Sequence, residues 1–250
     1  MRRLSVSLSA GGAAGRRSAL KAGSEPRTKL PFLRRIVNEA RHLPDTTDTF
    51  LPYPPHASGG TKKDTACEVL YKDPQCVVVK DAFPKSLLHC LVIPLDLSLV
   101  SLNSLHAGHV KLLEHMMGVA EKYVLFLRTA ASGDASLRSF TYMMGFHALP
   151  SLPQLHMHLV SRDFDGPCMK TKKHYNTFTT QFFLPAHNVV RDLQDNGRVT
   201  LNKDVATLLQ LEEGEPCCHW CGAPAGSGGL PQLRAHVRSC SSNRAYRNNC

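Results

Sequence analysis

Along Gln154-Leu-His-Met-His-Leu-Val-Ser161, Leu155, Met157 and Leu159 alternate with Gln154, His156 and His158. Side chains two apart on a strand share a face. The run is therefore predicted as a strand over 155–161 that buries its apolar residues and presents Gln154, His156 and His158 in a row. His147 lies just upstream and can swing back toward them. Three imidazoles gathered this way suit nucleophilic or acid–base chemistry, because histidine titrates near neutrality.

The remaining pattern supplies the layers around that strand. Residues 68–72 and 76–80 read as strands separated by the turn pair Asp73-Pro74, and the unbroken valines at 77–79 suit a well-buried strand. Residues 87–94 and 140–146 read as two more. Residues 103–127 form the clearest helix, with Leu112, Leu113, Met116, Ala120, Tyr123 and Val124 on one stripe. His106, His109 and His115 lie on it as ordinary polar residues, with no acid or cysteine at ligand spacing. Short helices are predicted over 31–43, 188–194 and 203–210. The fold class is α+β: a small antiparallel sheet with flanking helices.

Composition bounds the partners. The chain has 250 residues and a net charge of +10, but nine of its 30 Lys/Arg and one of its 20 acids lie in the first 35 residues, a local +8 that leaves +2 for the rest. Nucleic-acid contact must then be argued from local patches. No run approaches the roughly 20 apolar residues that span a bilayer. Residues 1–66 read as a disordered basic arm and linker, with an Arg/Ser-rich start that fits an organellar transit peptide or a nuclear-import arm. A catalytic domain is placed at 67–212 and a compact tail at 213–250.

The tail holds the sharpest local signal. Four of the nine cysteines lie between Cys217 and Cys240, which favours a metal site over a disulfide framework. Cys218-x2-Cys221-x14-His236-x3-Cys240 is ligand spacing for one tetrahedral structural zinc; Cys217 in place of Cys218 is the lesser alternative. A unit this small cannot bury enough core to fold alone, so metal is its natural stabiliser. Arg234 and Arg238 on the helix that bears His236 suit a DNA backbone. So does the cluster Lys170, Lys172, Lys173 and His174, for which a solvated charged face is the bland alternative.

The segments Tyr71-Lys-Asp, Val77-Val-Val-Lys-Asp-Ala-Phe-Pro-Lys85, His89-Cys-Leu-Val-Ile-Pro94, Gly145-Phe-His-Ala-Leu-Pro-Ser151 and Gln154–Ser161 together resemble the histidine-triad superfamily, and within it the DNA 5′-adenylate hydrolases. The resemblance spans about residues 67–240 and includes the zinc tail. It implies a covalent AMP–His156 intermediate, with His158 holding the phosphate, His147 as general acid and His89 as a further phosphate-side group. Asp81 would bind ribose hydroxyls, Phe83 would flank adenine, and Lys85, Ser151 and Gln154 complete the nucleotide side. The implied substrate is DNA carrying a 5′-adenylate at a nick or end. AMP is the implied product, with structural zinc, no catalytic cofactor, no membrane, a monomer, and the nucleus as compartment (mitochondrion or chloroplast as the alternative). The chain departs from the pattern at three positions: Gln154 replaces the first triad histidine, Pro153 a small hydroxylated residue, and Leu87 an arginine. Two other readings remain, a general nucleoside phosphoramidase or dinucleotide hydrolase, and a non-catalytic DNA-end binder.

Overall fold

The computed structural model describes residues 5–6, 31–46, 49–54, 67–129, 140–201 and 203–242. The expectation of a disordered basic arm and linker over 1–66 lies in large part outside the described residues, which within that span are 5–6, 31–46 and 49–54. Among the described residues no helix is long and apolar enough to cross a membrane.

The sheet contains β1 (Ser5–Val6), β2 (Cys67–Lys72), β3 (Cys76–Lys80), β4 (His89–Pro94), β5 (Tyr142–His147), β6 (Met157–Ser161) and β7 (Phe183–Pro185). Its order is β1-β2-β3-β4-β6-β5-β7, and every neighbouring pair is antiparallel. The helices are α1 (Phe32–Ala40), α2 (Val110–Thr129), α3 (Lys172–Thr179), α4 (Ala186–Asn196), α5 (Val205–Glu213) and α6 (Gly229–Ser239). The α+β class expected from sequence is the observed one.

Strand alternation divides the core. Val78, Cys90, Val92, Met157 and Leu159 face α2 and α4, where they meet Leu113, Met116, Tyr123, Val189 and Leu193. Val69, Val77, Val79, Leu91 and Ile93 face the opposite way and are covered by Leu33, Ile36, Val37 and Ala40 of α1. Burying a side chain the size of Leu or Ile contributes about 1.5–3 kcal/mol, so α1 is an integral layer. The segment after it is also packed: Leu51 N–H donates to the Leu70 carbonyl at 2.9 Å, and Phe50 and Tyr53 join the first core. Packing against the sheet thus already includes α1 and residues 49–54, ahead of residue 67 where the sequence placed the catalytic domain. The short Pro/Gly-rich run after α1 masked that continuity.

His115 of α2 has a partner the sequence did not suggest. Its Nε2 lies 2.7 Å from Asp73 Oδ2, while Asp73 Oδ1 accepts the Gln75 and Cys76 N–H groups at 2.8 Å each. The β2–β3 turn brings that acid to the helix from a distant stretch of chain.

A third cluster joins the tail to the body. Val160, Phe164, Met169, Tyr175 and Phe178 pack with Cys218, Ala225, Leu230, Leu233 and Val237. The tail therefore shares a core with the sheet face that carries the histidines.

Candidate active site

Sheet register gathers the imidazoles. His158 of β6 sits opposite Leu91 of β4 and Gly145 of β5, and His89 sits opposite Val160. His89 and His158 are thus diagonal neighbours on one face, their ring centroids 5.2 Å apart. His147 ends β5 with its ring 4.4 Å from that of His158. His156 immediately precedes β6, 5.1 Å from the His158 ring. Phe178 of α3 closes the group, with its ring 5.4 Å from His89, 4.7 Å from His147 and 5.3 Å from His158.

A directed hydrogen-bond chain assigns the ring protons. The Lys85 backbone N–H donates to His89 Nδ1 at 3.2 Å, so the proton of a neutral His89 sits on Nε2. That nitrogen lies 3.0 Å from His158 Nδ1, which must accept. His158 therefore carries its proton on Nε2, a buried atom with no partner among the described residues. His156 Nδ1 lies 2.8 Å from the Gln154 carbonyl and can only donate to it, which leaves a lone pair on His156 Nε2. One ring thus offers a nucleophile and its neighbour a donor.

Burial favours the neutral form of His147, His156 and His158. It lowers the pKa of His147 to about 3, assisted by His156, His89 and Lys85. Burial likewise lowers His158 well below its ordinary value and lowers His156, against the raising effect of its bond to Gln154. His147 Nε2 is also buried without a partner among the described residues.

The predicted nucleotide-side residues divide. Asp81 follows β3, with its Oδ2 3.6 Å from His89 Nε2 and its Oδ1 accepting the Phe83 N–H at 2.6 Å. Phe83 is 55% exposed beside the site, and Lys85 Nζ donates to the Phe83 carbonyl at 2.6 Å. Burial lowers the Lys85 pKa. Ser151 lies exposed on the loop before β6. Gln154 departs from the expected row. Its φ is 113°, a left-handed value that turns its side chain to donate to the Asp96 carbonyl at 3.0 Å. The regular strand starts at Met157, so alternation does not reach residue 154. The Gln154 carbonyl, which sequence could not rank, is the group that orients His156.

The predicted DNA contacts are mostly paired. Lys172 bonds Glu215 at 3.1 Å, and Lys173 bonds Glu212 at 2.8 Å. Asp165 binds both Arg234 and Arg238, the latter at 2.7 Å. Lys170 and His174 make no ion pair among the described residues, and Lys170, Arg234 and Arg238 line one cleft with Pro167 and Met169. The segment after β6 leads into α3, whose N-cap Thr171 accepts the His174 N–H through its side chain.

In the tail, the ligand atoms of Cys218, Cys221, His236 and Cys240 lie within 4.8 Å of one another. Cys218 Sγ and Cys240 Sγ are 3.9 Å apart, and Cys221 Sγ lies 3.2 Å from His236 Nε2. These separations suit the edges of a tetrahedron with metal–ligand bonds of about 2.0–2.3 Å, so the set could hold a zinc ion.

Residues 60–174 match a family model described as scavenger mRNA decapping enzyme C-term binding. The chain is 39% identical over 186 residues to aprataxin of Gallus gallus, which covers 73% of this chain and 54% of that protein. It is 30% identical to an aprataxin-like protein of Schizosaccharomyces pombe, over 68% of this chain and 73% of that one. The chain belongs to the aprataxin family. It spans about half the length of the bird relative. A solved aprataxin-family structure, the ortholog Hnt3 in complex with DNA, is 26% identical with a TM-score of 0.47, covering 72% of this chain and 89% of that one.

Proposed function

We propose that the protein removes AMP from 5′-adenylated DNA, in two displacements at the α-phosphorus. His156 Nε2 attacks, forming a P–N bond, and the bond from phosphorus to the DNA 5′-phosphate oxygen breaks. His147, protonated once the substrate's anionic charge is present, gives its proton to the departing phosphate. Water then attacks phosphorus and gives a proton to the now neutral His147 while the P–N bond breaks, which releases AMP and restores neutral His156. The Gln154 carbonyl stabilises the cationic ring through its Nδ1–H, and His158 Nε2–H faces the developing phosphoryl charge. The observation that carries this reading is the pair of assigned tautomers, a lone pair on His156 Nε2 beside a proton on His158 Nε2.

Asp81, Phe83, Lys85 and Ser151 take the nucleotide side in this reading, and Lys170 and His174 meet the DNA backbone. Cys218, Cys221, His236 and Cys240 hold a structural zinc. The nucleus is the compartment that such a role implies.

A second reading, a general adenylate phosphoramidase, is favoured by the ion pairs that occupy Lys172, Lys173, Arg234 and Arg238. DNA radiolabelled in its 5′-adenylate separates them. The expected result is label transferred to the wild-type chain in an acid-quenched single turnover, with none transferred to His156→Ala. Full-rate AMP release by His156→Ala would overturn the mechanism. Faster turnover of adenosine 5′-phosphoramidate than of adenylated DNA would favour the second reading.

A further inference from the structure

Asp163 and Asp165 follow β6, and sequence suggests turn-capping for both. Asp163 fits that role: its Oδ2 accepts the Leu87 and Asp165 N–H groups at 3.1 and 2.9 Å. Asp165 does something else. Its carboxylate receives Arg238 Nε at 2.7 Å and Nη2 at 2.8 Å, together with Arg234 Nε at 3.0 Å. Arg234 Nη1 also donates to the Met169 carbonyl at 3.1 Å. Two arginines one helical turn apart on α6 thus grip both ends of the 165–169 loop.

That loop lies directly on the segment that fixes the histidine tautomers. Gly166 N–H donates to the Lys85 carbonyl, and Cys168 N–H donates to the Pro84 carbonyl, at 3.0 Å each. The approach is closer than any side chain permits: a Cβ on Gly166 would sit 2.4 Å from Ser86 N and 2.5 Å from the Lys85 carbonyl carbon. Both are backbone atoms and cannot step aside. The same Lys85 residue donates its N–H to His89 Nδ1, and His89 sets His158. One side of Lys85 is therefore held by the clamped loop, while the other orients the ring chain.

The geometry points to Asp165 as a positioning residue for the histidine cluster. Through Arg234 and Arg238 it makes the placement of the Lys85 peptide, and with it the His89–His158 tautomer, depend on where α6 lies. α6 also bears His236, so the order of the Cys/His module is transmitted to the histidines by this clamp. The arginines serve that role in addition to any contact with DNA. The consequence for catalysis rests on the proposed hydrolysis; the consequence for the rings does not.

The test uses the full chain with its metal bound, as Asp165→Asn and as Arg238→Gln. The second variant is the safer for folding, because the Arg238 side chain is 59% exposed. Two readouts are taken. The first is kcat and KM on adenosine 5′-phosphoramidate, a substrate that carries no DNA strand. Misplacing a catalytic group by about 1 Å costs up to roughly 100-fold, and a loosened clamp is expected to lower kcat roughly tenfold in Asp165→Asn with KM nearly unchanged. The second is the nitrogen-15 spectrum of the ring nitrogens, which needs no substrate. The expected change is from a single Nε2–H tautomer at His158 to a mixture, larger in Asp165→Asn than in Arg238→Gln. Folded variants with wild-type kcat and an unchanged His158 signal would overturn the clamp. A wild-type chain that turns over no adenylate would sink the proposed hydrolysis, and the ring spectra would still decide the clamp.

Discussion

Two four-residue clusters organise this molecule, and they are held together in opposite ways. His89, His147, His156 and His158 come from three strands and the approach to one of them, and they are fixed by sheet register, backbone hydrogen bonds and the Phe178 ring. Their order needs no ion. Cys218, Cys221, His236 and Cys240 come from one knuckle and one helix, with Cys221 exposed and thiols facing one another. Facing thiols make weak hydrogen bonds, so that cluster has little cohesion of its own. The first site is a product of the fold, and the second would stabilise the fold around it only with a metal bound.

The sharpest break in the comparison is chemical. His156→Ala removes the proposed nucleophile from a site otherwise fixed by packing, so rapid-quench turnover of adenylated DNA should fall by at least roughly 10³-fold while circular dichroism stays unchanged. Cys240→Ala should do the reverse, acting first on stability. Losing metal cohesion of about 2 kcal/mol corresponds to a melting shift of roughly 4–8 °C for a chain of this size. Hydrogen exchange should rise first in residues 217–240 and leave β4 and β6 protected. Uniform loss of protection would show that the two clusters unfold as one.

Acid should separate them as well. His147 has a folded pKa of about 3, below the ordinary value of about 6.5 in an unfolded chain. Between those values the unfolded state binds the extra proton, so stability falls as pH drops through that window and is flat above it. His147→Phe, placed among Phe178, Phe182 and Phe183, should flatten the slope of denaturant midpoint against pH from 6.5 to 4. An unchanged slope would mean that this ring is not kept neutral by burial.

The same contrast decides what the sequence could reveal. The Cys/His set is legible because its ligands fall in two short segments whose spacing is the chemistry. The alternation at 155–161 exposes His156 and His158, and the stripe exposes the long helix, although the helix runs Val110–Thr129 and residues 102–104 and 107–109 form short 3-10 turns ahead of it. The links that make the histidines function were hidden. The Lys85 N–H to His89 bond and the Gln154 carbonyl are backbone groups, on which residue type is silent. Asp73 reaches His115, and Asp165 reaches Arg238, only after the chain has folded. The run 170–174 is basic in sequence. Nothing local told that Glu212 and Glu215, on and just after α5, would neutralise part of it.

The smallest expected effect concerns Gln154, which from sequence is the weak point of the histidine row. In the fold its side chain leaves the row and donates to the Asp96 carbonyl; its contribution to His156 is a main-chain carbonyl that any residue supplies. Restoring a histidine by Gln154→His should therefore change kcat by no more than about threefold, well under 1 kcal/mol of transition-state stabilisation. Gln154→Pro is the contrasting case. Its ring fixes φ near −65° against the observed 113°, and it removes the N–H that donates to the Val100 carbonyl at 2.9 Å. That displaces the carbonyl bound by His156 Nδ1, so kcat should fall by at least roughly tenfold. If the histidine variant were the more damaging of the two, the side chain of residue 154, and not its carbonyl, would be what aims the nucleophile.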